Sequence, residues 1–215
     1  MEISEILSKV DHTCLSLTAG AKDIEKTVDE AIAYKTAAVC VPPSFVGEAV
    51  RRSAGRVPVA VVTGFPNGYD STAAKLRETE YCLEQGAAET DTVLNIARFV
   101  SGDYAYCLKE LEELKKLHGD RVLKVIVECC LLTDEQKADA CRLVADSGAD
   151  YIKTSTGFQK GGATVEDVAL FKRCAPESLK IKAAGGIRDI RFAEELILAG
   201  ASRIGASGLI PRADR

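Results

Sequence analysis

Three times in this chain a glycine and an alanine stand between the end of a helical pattern and the start of a short strand. They are Gly86-Ala87 before Glu89, Gly148-Ala149 before Tyr151, and Gly200-Ala201 before Arg203. Glycine readily takes the left-handed backbone that stops a helix, so each unit reads as helix, glycine stop, alanine, strand. The recurrences lie about fifty to sixty residues apart, the length of two consecutive strand-helix units of a (β/α)₈ barrel.

The alternate units fall in between. Val57-Pro58-Val59-Ala60-Val61-Val62 is apolar on both faces, as a strand in a covered parallel sheet must be, and Ala37 to Val41 is a shorter run stopped by Pro42-Pro43. Val122 to Glu128 and Lys180 to Ala184 supply two more strands. Helical patterns run from Lys22 to Tyr34 and from Ser71 to Gln85. Thr133-Asp134-Glu135-Gln136 is a capping-box start to the helix that ends at Gly148, and another helix opens near Thr164. Short strands near positions 13, 39, 61, 93, 125, 153, 182 and 204 make eight, which favours a closed barrel over an open doubly wound sheet. Ile3, Ile6, Leu7 and Val10 form an amphipathic helix over Glu2–Val10 ahead of them. The expected fold is α/β, a (β/α)₈ TIM barrel with a short N-terminal helix, as one domain over residues 1–215.

Composition narrows the function. A net charge of -4 argues against a nucleic-acid or anionic-membrane surface as partner, and no apolar run is long enough to span a membrane. Met1-Glu2-Ile3-Ser4-Glu5 lacks the basic start of a signal peptide, so the expected location is the cytoplasm. The eight cysteines show no CxxC spacing and most sit in apolar runs, which reads as reduced, buried thiols. With only His12 and His118 present, a His-rich metal site is not expected, and neither is a cofactor. His118, in Lys116-Leu117-His118-Gly119, reads as a helix-end cap.

The chemistry centres on Tyr151-Ile152-Lys153-Thr154-Ser155-Thr156-Gly157-Phe158. Desolvation lowers the pKa of a lysine in a buried strand, and a neutral amine attacks carbonyl carbon; a strand-end lysine that snorkels to solvent is the alternative. Barrel active sites lie at the C-terminal ends of the strands. Strands four, five and seven carry Asp91, Lys124 and Lys182, so an acid and several lysines converge if those faces point inward. A second ammonium would lower the Lys153 pKa further, whereas an inert network in which Lys182 and Lys124 balance Asp91 or Glu128 is the other reading. Gly185-Gly186-Ile187-Arg188 after strand seven and Gly205-Ala206-Ser207-Gly208 after strand eight are placed as phosphate-binding loops are in many barrels. Asp11-His12-Thr13 reads either as a simple turn or as part of the first strand.

Asp11-His12-Thr13, Cys40, Gly64-Phe65-Pro66, Glu89-Thr90-Asp91, Leu123-Lys124-Val125-Ile126, Lys153 to Phe158, Lys182 to Arg188 and Gly205-Ala206-Ser207 resemble the deoxyribose-phosphate aldolase family. The match runs in order over nearly the whole chain, and its Lys-Thr-Ser-Thr-Gly-Phe stretch is highly specific. The resemblance implies a class I aldolase that interconverts 2-deoxy-D-ribose 5-phosphate with acetaldehyde and glyceraldehyde 3-phosphate. It also implies Lys153 as the imine-forming nucleophile, Lys182 as the lysine that lowers its pKa, and Asp91 as the proton-transfer partner. Asp11, Thr13, Cys40, Lys124 and Thr154 match positions around the substrate; Gly157, Gly185, Gly186, Arg188, Ser207 and Gly208 match the phosphate side. Thr90 and Thr92 stand where the family often has apolar residues, and Ala184 replaces a frequent serine. The expected partners are small phosphorylated sugars and aldehydes; the sequence leaves the oligomeric state open, a homo-oligomer included. Rival readings are a different phosphosugar barrel, aldolase or isomerase, and a non-catalytic phosphosugar binder.

Overall fold

In the computed structural model, which describes residues 1–210, a short helix α1 (Ile3–Leu7) leads into eight parallel strands. These are β1 (Val10–Thr13), β2 (Ala38–Val41), β3 (Val59–Thr63), β4 (Glu89–Val93), β5 (Val122–Ile126), β6 (Tyr151–Lys153), β7 (Lys180–Ala184) and β8 (Arg203–Ala206). They close in sequence order, β8 pairing back onto β1, and each expected strand position falls inside one of them. The crossovers are α2 (Ala21–Ala33), α3 (Val46–Ser53), α4 (Thr72–Glu84), a short α5 (Ile96–Val100) with α6 (Tyr104–His118), α7 (Asp134–Asp146), α8 (Val165–Cys174) and α9 (Ile190–Ala199). This is the (β/α)₈ barrel with an N-terminal helix that the sequence leads one to expect. Residues 211–215 of the single expected domain lie outside the described residues.

The punctuation works as chain sterics require. Gly86, Gly148 and Gly200 have φ of 99°, 76° and 127°, a region costly for residues with a Cβ. At the start of α7 the Thr133 side chain accepts from Gln136 N while the Gln136 side chain accepts from Thr133 N, a reciprocal capping box. Several boundaries move. Val10, expected at the end of the first helix, opens β1, so Asp11-His12-Thr13 is strand and not a turn. β3 begins at Val59, because Pro58 has no N–H to give the ladder; its carbonyl still accepts from Val39 N. β5 ends at Ile126, short of Glu128, whose φ of 53° breaks the extended run.

Alternation along the strands separates two interiors. The outer one, between barrel and helices, is apolar and large, with Leu94, Leu111, Leu123, Ile152, Phe171 and Leu196 buried in one cluster. Inside the barrel the apolar cluster is small: Ala38 and Cys40 of β2 and Ala60 and Val62 of β3, capped by Leu15 and Phe65. Much of the rest of the barrel interior holds charge.

Candidate active site

Register decides which of those charges meet. Asp91 pairs with Lys124 across β4–β5, and Lys153 pairs with Lys182 across β6–β7. Partners in parallel register share a face, so all four project inward. Closure of β8 onto β1 then brings Asp11 and Arg203 together, and Glu89 comes up from the start of β4.

The result is a buried network. Asp91 Oδ2 accepts from Lys153 Nζ at 2.7 Å and from Lys182 Nζ at 2.6 Å, while its Oδ1 accepts from Lys124 Nζ at 2.8 Å. Lys182 also pairs with Asp11, Lys124 with Glu89 at 2.5 Å, and Arg203 with Asp11 at 2.6 Å. Gly205 makes room for this, since a Cβ there would lie 3.1 Å from Lys182 Cε and 2.9 Å from the Ala184 methyl. Three carboxylates (Asp11, Glu89, Asp91) therefore face four cationic side chains (Lys124, Lys153, Lys182, Arg203). Charge balances when one of the four is neutral, and an unbalanced buried charge is costly.

Lys153 is the one whose ammonium the surroundings disfavour. Burial lowers its pKa, Asp91 opposes that, Lys182 adds to the lowering, and the net direction is down. The others go the opposite way. Burial works against the Lys182 ammonium, but Asp11 and Asp91 outweigh it and raise its pKa; Lys124 is raised against the same penalty by Asp91, Asp11 and Glu89. Burial would push Asp91 up, yet Lys124, Lys153 and Lys182 hold it well below the usual carboxylate range. Asp11, likewise desolvated, is brought to about 2 by Lys182, Lys124 and Arg203.

Lys153, only 3% exposed, is the member of this network that reaches the wall of a cavity of about 930 Å³ at the C-terminal ends of the strands. Thr13, Gly157, Gly185, Gly186, Arg188, Ser207 and Gly208 line the same cavity. Eight of the fourteen expected site residues therefore share one space. The other six, Asp91, Lys182, Asp11, Cys40, Lys124 and Thr154, are fully buried and lie outside its lining. Thr154 comes directly after the end of β6, its hydroxyl bonded to both the N–H and the carbonyl of Ala184. The Cys40 thiol, on the inner face, is raised by burial to about 11, so it stays protonated at neutral pH.

Some supporting residues carry little signal in the sequence. Arg203 and Glu89 stand at the first positions of their strands and acquire partners only through closure. Glu128, an acid in an apolar run, accepts from Thr156 N at 3.2 Å and from the Thr156 hydroxyl, fixing the loop after β6. Thr90 and Thr92 face outward; Thr92 bonds Thr63 at 2.5 Å and Thr90 bonds His118 Nε2 at 2.7 Å. His118 does reach a last-turn carbonyl, Leu114 O at 2.7 Å, yet it is buried and not merely a surface cap.

An amine with lowered pKa, held at a cavity wall beside a second lysine and a carboxylate in a (β/α)₈ barrel, defines an enzyme of the barrel aldolase class. The model of the DeoC/LacD family aldolases matches residues 6–211. The chain belongs to that family. It is 46% identical over 210 residues to a deoxyribose-phosphate aldolase of Streptococcus pyogenes serotype M4, covering 98% of this chain and 94% of the relative. Among solved structures it is similar to QR15, an aldolase (TM-score 0.92, 39% identity, 94% of this chain and 91% of that one). It is also similar to a deoxyribose phosphate aldolase of Aeropyrum pernix described as a unique tetramer (TM-score 0.88, 30% identity, 96% and 88%).

Proposed function

We infer that this enzyme cleaves 2-deoxy-D-ribose 5-phosphate reversibly to acetaldehyde and D-glyceraldehyde 3-phosphate through an imine on Lys153. The observation that carries the reading is the buried Lys153 amine at the cavity wall, hydrogen-bonded to Asp91 in a network that balances without its charge.

The neutral amine adds to the C1 aldehyde of the open-chain sugar, and loss of water gives a protonated imine. That cation draws the C2–C3 bonding electrons toward nitrogen while the C3 hydroxyl gives up its proton. Glyceraldehyde 3-phosphate leaves, and the enamine of acetaldehyde remains. Protonation at C2 and addition of one water release acetaldehyde and restore Lys153. Asp91, with all its contacts to lysines and a strongly lowered pKa, does not store a proton. It orients, together with the Lys182 ammonium, a water that takes the C3 hydroxyl proton and relays it to solvent, and a proton returns to C2 along the same water path. Asp11, Lys124, Glu89 and Arg203 act through those lysines, and Cys40 packs behind them. Gly157, Gly185, Gly186, Ser207 and Gly208 offer backbone N–H groups, and Arg188 a guanidinium, to the phosphate. Thr13, at the end of β1 beside β8, lines the same cavity, and Thr154 ties β6 to β7 and holds Lys153 on line.

Residues 1–215 act as one barrel unit in this reading, and a homo-oligomer would form through outer-helix faces. Among the described residues no helix is long and apolar enough to cross a membrane, and all eight cysteines are unpaired; we place the enzyme in the cytoplasm on that basis.

Borohydride added with acetaldehyde should leave a reduced two-carbon adduct on Lys153, located by peptide mapping. An unmodified Lys153 peptide refutes the imine. An isomerase needs no imine, and a non-catalytic binder would keep ligand affinity in Lys153→Leu while having no turnover to lose. Turnover at the original level in that variant also refutes the assignment.

A further inference from the structure

A second buried ion pair lies outside the barrel, where the mechanism makes no use of it. Lys75 of α4 and Glu110 of α6 have side chains with no exposure at all, and Lys75 Nζ donates to Glu110 Oε1 at 2.7 Å. Taking both charges out of water is expensive, and an apolar pair of similar volume would serve packing as well or better. Their other contacts lead to the site. Lys75 Nζ also donates to the carbonyl of Val93, the last residue of β4, two positions beyond Asp91. The lysine stem lies under Gly64, where an added Cβ would come within 2.9 Å of Lys75 Cε; Gly64 N donates to Glu78 Oε2 at 2.7 Å, one turn further along α4.

Gly64 opens the loop that carries Phe65. The Phe65 ring caps the inner cluster containing Cys40 and Val62, and meets Phe158 edge to face at 5.1 Å between centroids. Phe158 lines the cavity next to Gly157, on the side assigned to the phosphate.

We propose that the Lys75–Glu110 pair is a positioning strut. It fixes the Gly64–Phe65 loop against the end of β4, and through the Phe65–Phe158 contact it sets the Gly157 side of the cavity for the phosphorylated substrate. This rests on the aldolase reading above. Neither residue touches substrate. The charged pair does what an apolar pair cannot: its ammonium holds a strand-end carbonyl while its stem supports the loop.

The test is the double variant Lys75→Met/Glu110→Leu, which leaves no buried charge unpaired. Acetaldehyde trapping on Lys153 by borohydride should stay within about twofold of wild type, whereas KM for 2-deoxyribose 5-phosphate should rise about tenfold, the loss of roughly 1.4 kcal/mol of phosphate binding. Phe65→Ala, a half-buried site that leaves the pair intact, should reproduce the KM rise, and it decides the matter if the double variant does not fold. Wild-type KM in the folded double variant or in Phe65→Ala overturns the strut. A wild-type enzyme that gives no Lys153 adduct overturns the aldolase reading and this proposal with it, so the two failures are told apart by the trap.

Discussion

Replacing Lys182 with methionine removes one ammonium from beside Lys153 while keeping most of its volume. The Nζ atoms of Lys153 and Lys182 lie 2.7 and 2.6 Å from the same Asp91 oxygen. They are therefore no more than about 5.3 Å apart, and at an effective dielectric of about 20 two unit charges at that separation repel by about 3 kcal/mol. Without that repulsion the ammonium form of Lys153 becomes easier to keep, and Asp91, with one cation fewer to share, holds it more firmly. An interaction of about 3 kcal/mol corresponds to roughly a hundredfold less neutral amine at a pH where the ammonium dominates. Asp11 keeps Arg203 and Lys124, and Asp91 keeps Lys124 and Lys153, so neither acid is stranded and the barrel should fold. A Lys153 pKa raised by the variant moves the acid limb of kcat/KM to higher pH, so the deficit should be roughly a hundredfold near neutrality and shrink as pH rises. Initial rates of glyceraldehyde 3-phosphate release across pH, with circular dichroism melts to confirm folding, make the measurement. A variant whose acid limb coincides with that of wild type, at any amplitude, refutes the claim that Lys182 tunes Lys153 by its charge.

Arg188→Ala should raise KM for 2-deoxyribose 5-phosphate by roughly 10- to 100-fold, the worth of a charge-assisted hydrogen bond, and leave cleavage of unphosphorylated 2-deoxyribose nearly unchanged. Burial lowers the His118 pKa to about 4, below its ordinary value, so the unfolded chain takes up a proton first as pH falls. Stability is then full above about 6.5, is lost between there and about 4 by roughly 3 kcal/mol, and His118→Gln should flatten that slope in urea titrations at several pH values. Thr133→Ala removes the capping box of α7 and should cost about 1 kcal/mol in denaturant unfolding without altering kcat/KM.

Most of the strands were legible because glycine stops and doubly apolar runs report local backbone and burial requirements, which a sequence carries directly. Lys153 stood out as a charge directly after the apolar pair Tyr151-Ile152, and Asp91 through its place in the fourth strand. What closure alone supplies was not legible. Asp11 and Arg203 are 192 residues apart and meet only because β8 pairs with β1. The phase of each strand was also left open, and it decides contact. Once Asp91 is known to face inward, Thr90 and Thr92 become outward hydroxyls with partners in His118 and Thr63 instead of polar residues crowding Asp91. β1 was hard to see because its only apolar residue is Val10.

Stability and reactivity are carried by different faces of the same strands. Outward residues such as Leu123, Val125, Ile152 and Ile181 join the apolar shell under the helices, which supplies hydrophobic burial without regard to what the inward residues are. The inward residues are free to be charged because each strand is already held from behind, and the apolar cluster inside involves only β2 and β3. That division explains how a three-residue strand can place a lysine: Tyr151 and Lys153 flank Ile152, whose burial in the outer shell pins the strand while Lys153 points at the cavity. It also explains why Lys153 carries the reaction and Lys124 does not. Both are buried amines bonded to Asp91, but Lys124 has three carboxylates within 4 Å and stays charged. Lys153 has Asp91 as its acidic partner, shares that oxygen with Lys182, and sits one step closer to the strand ends, where a carbonyl can reach it.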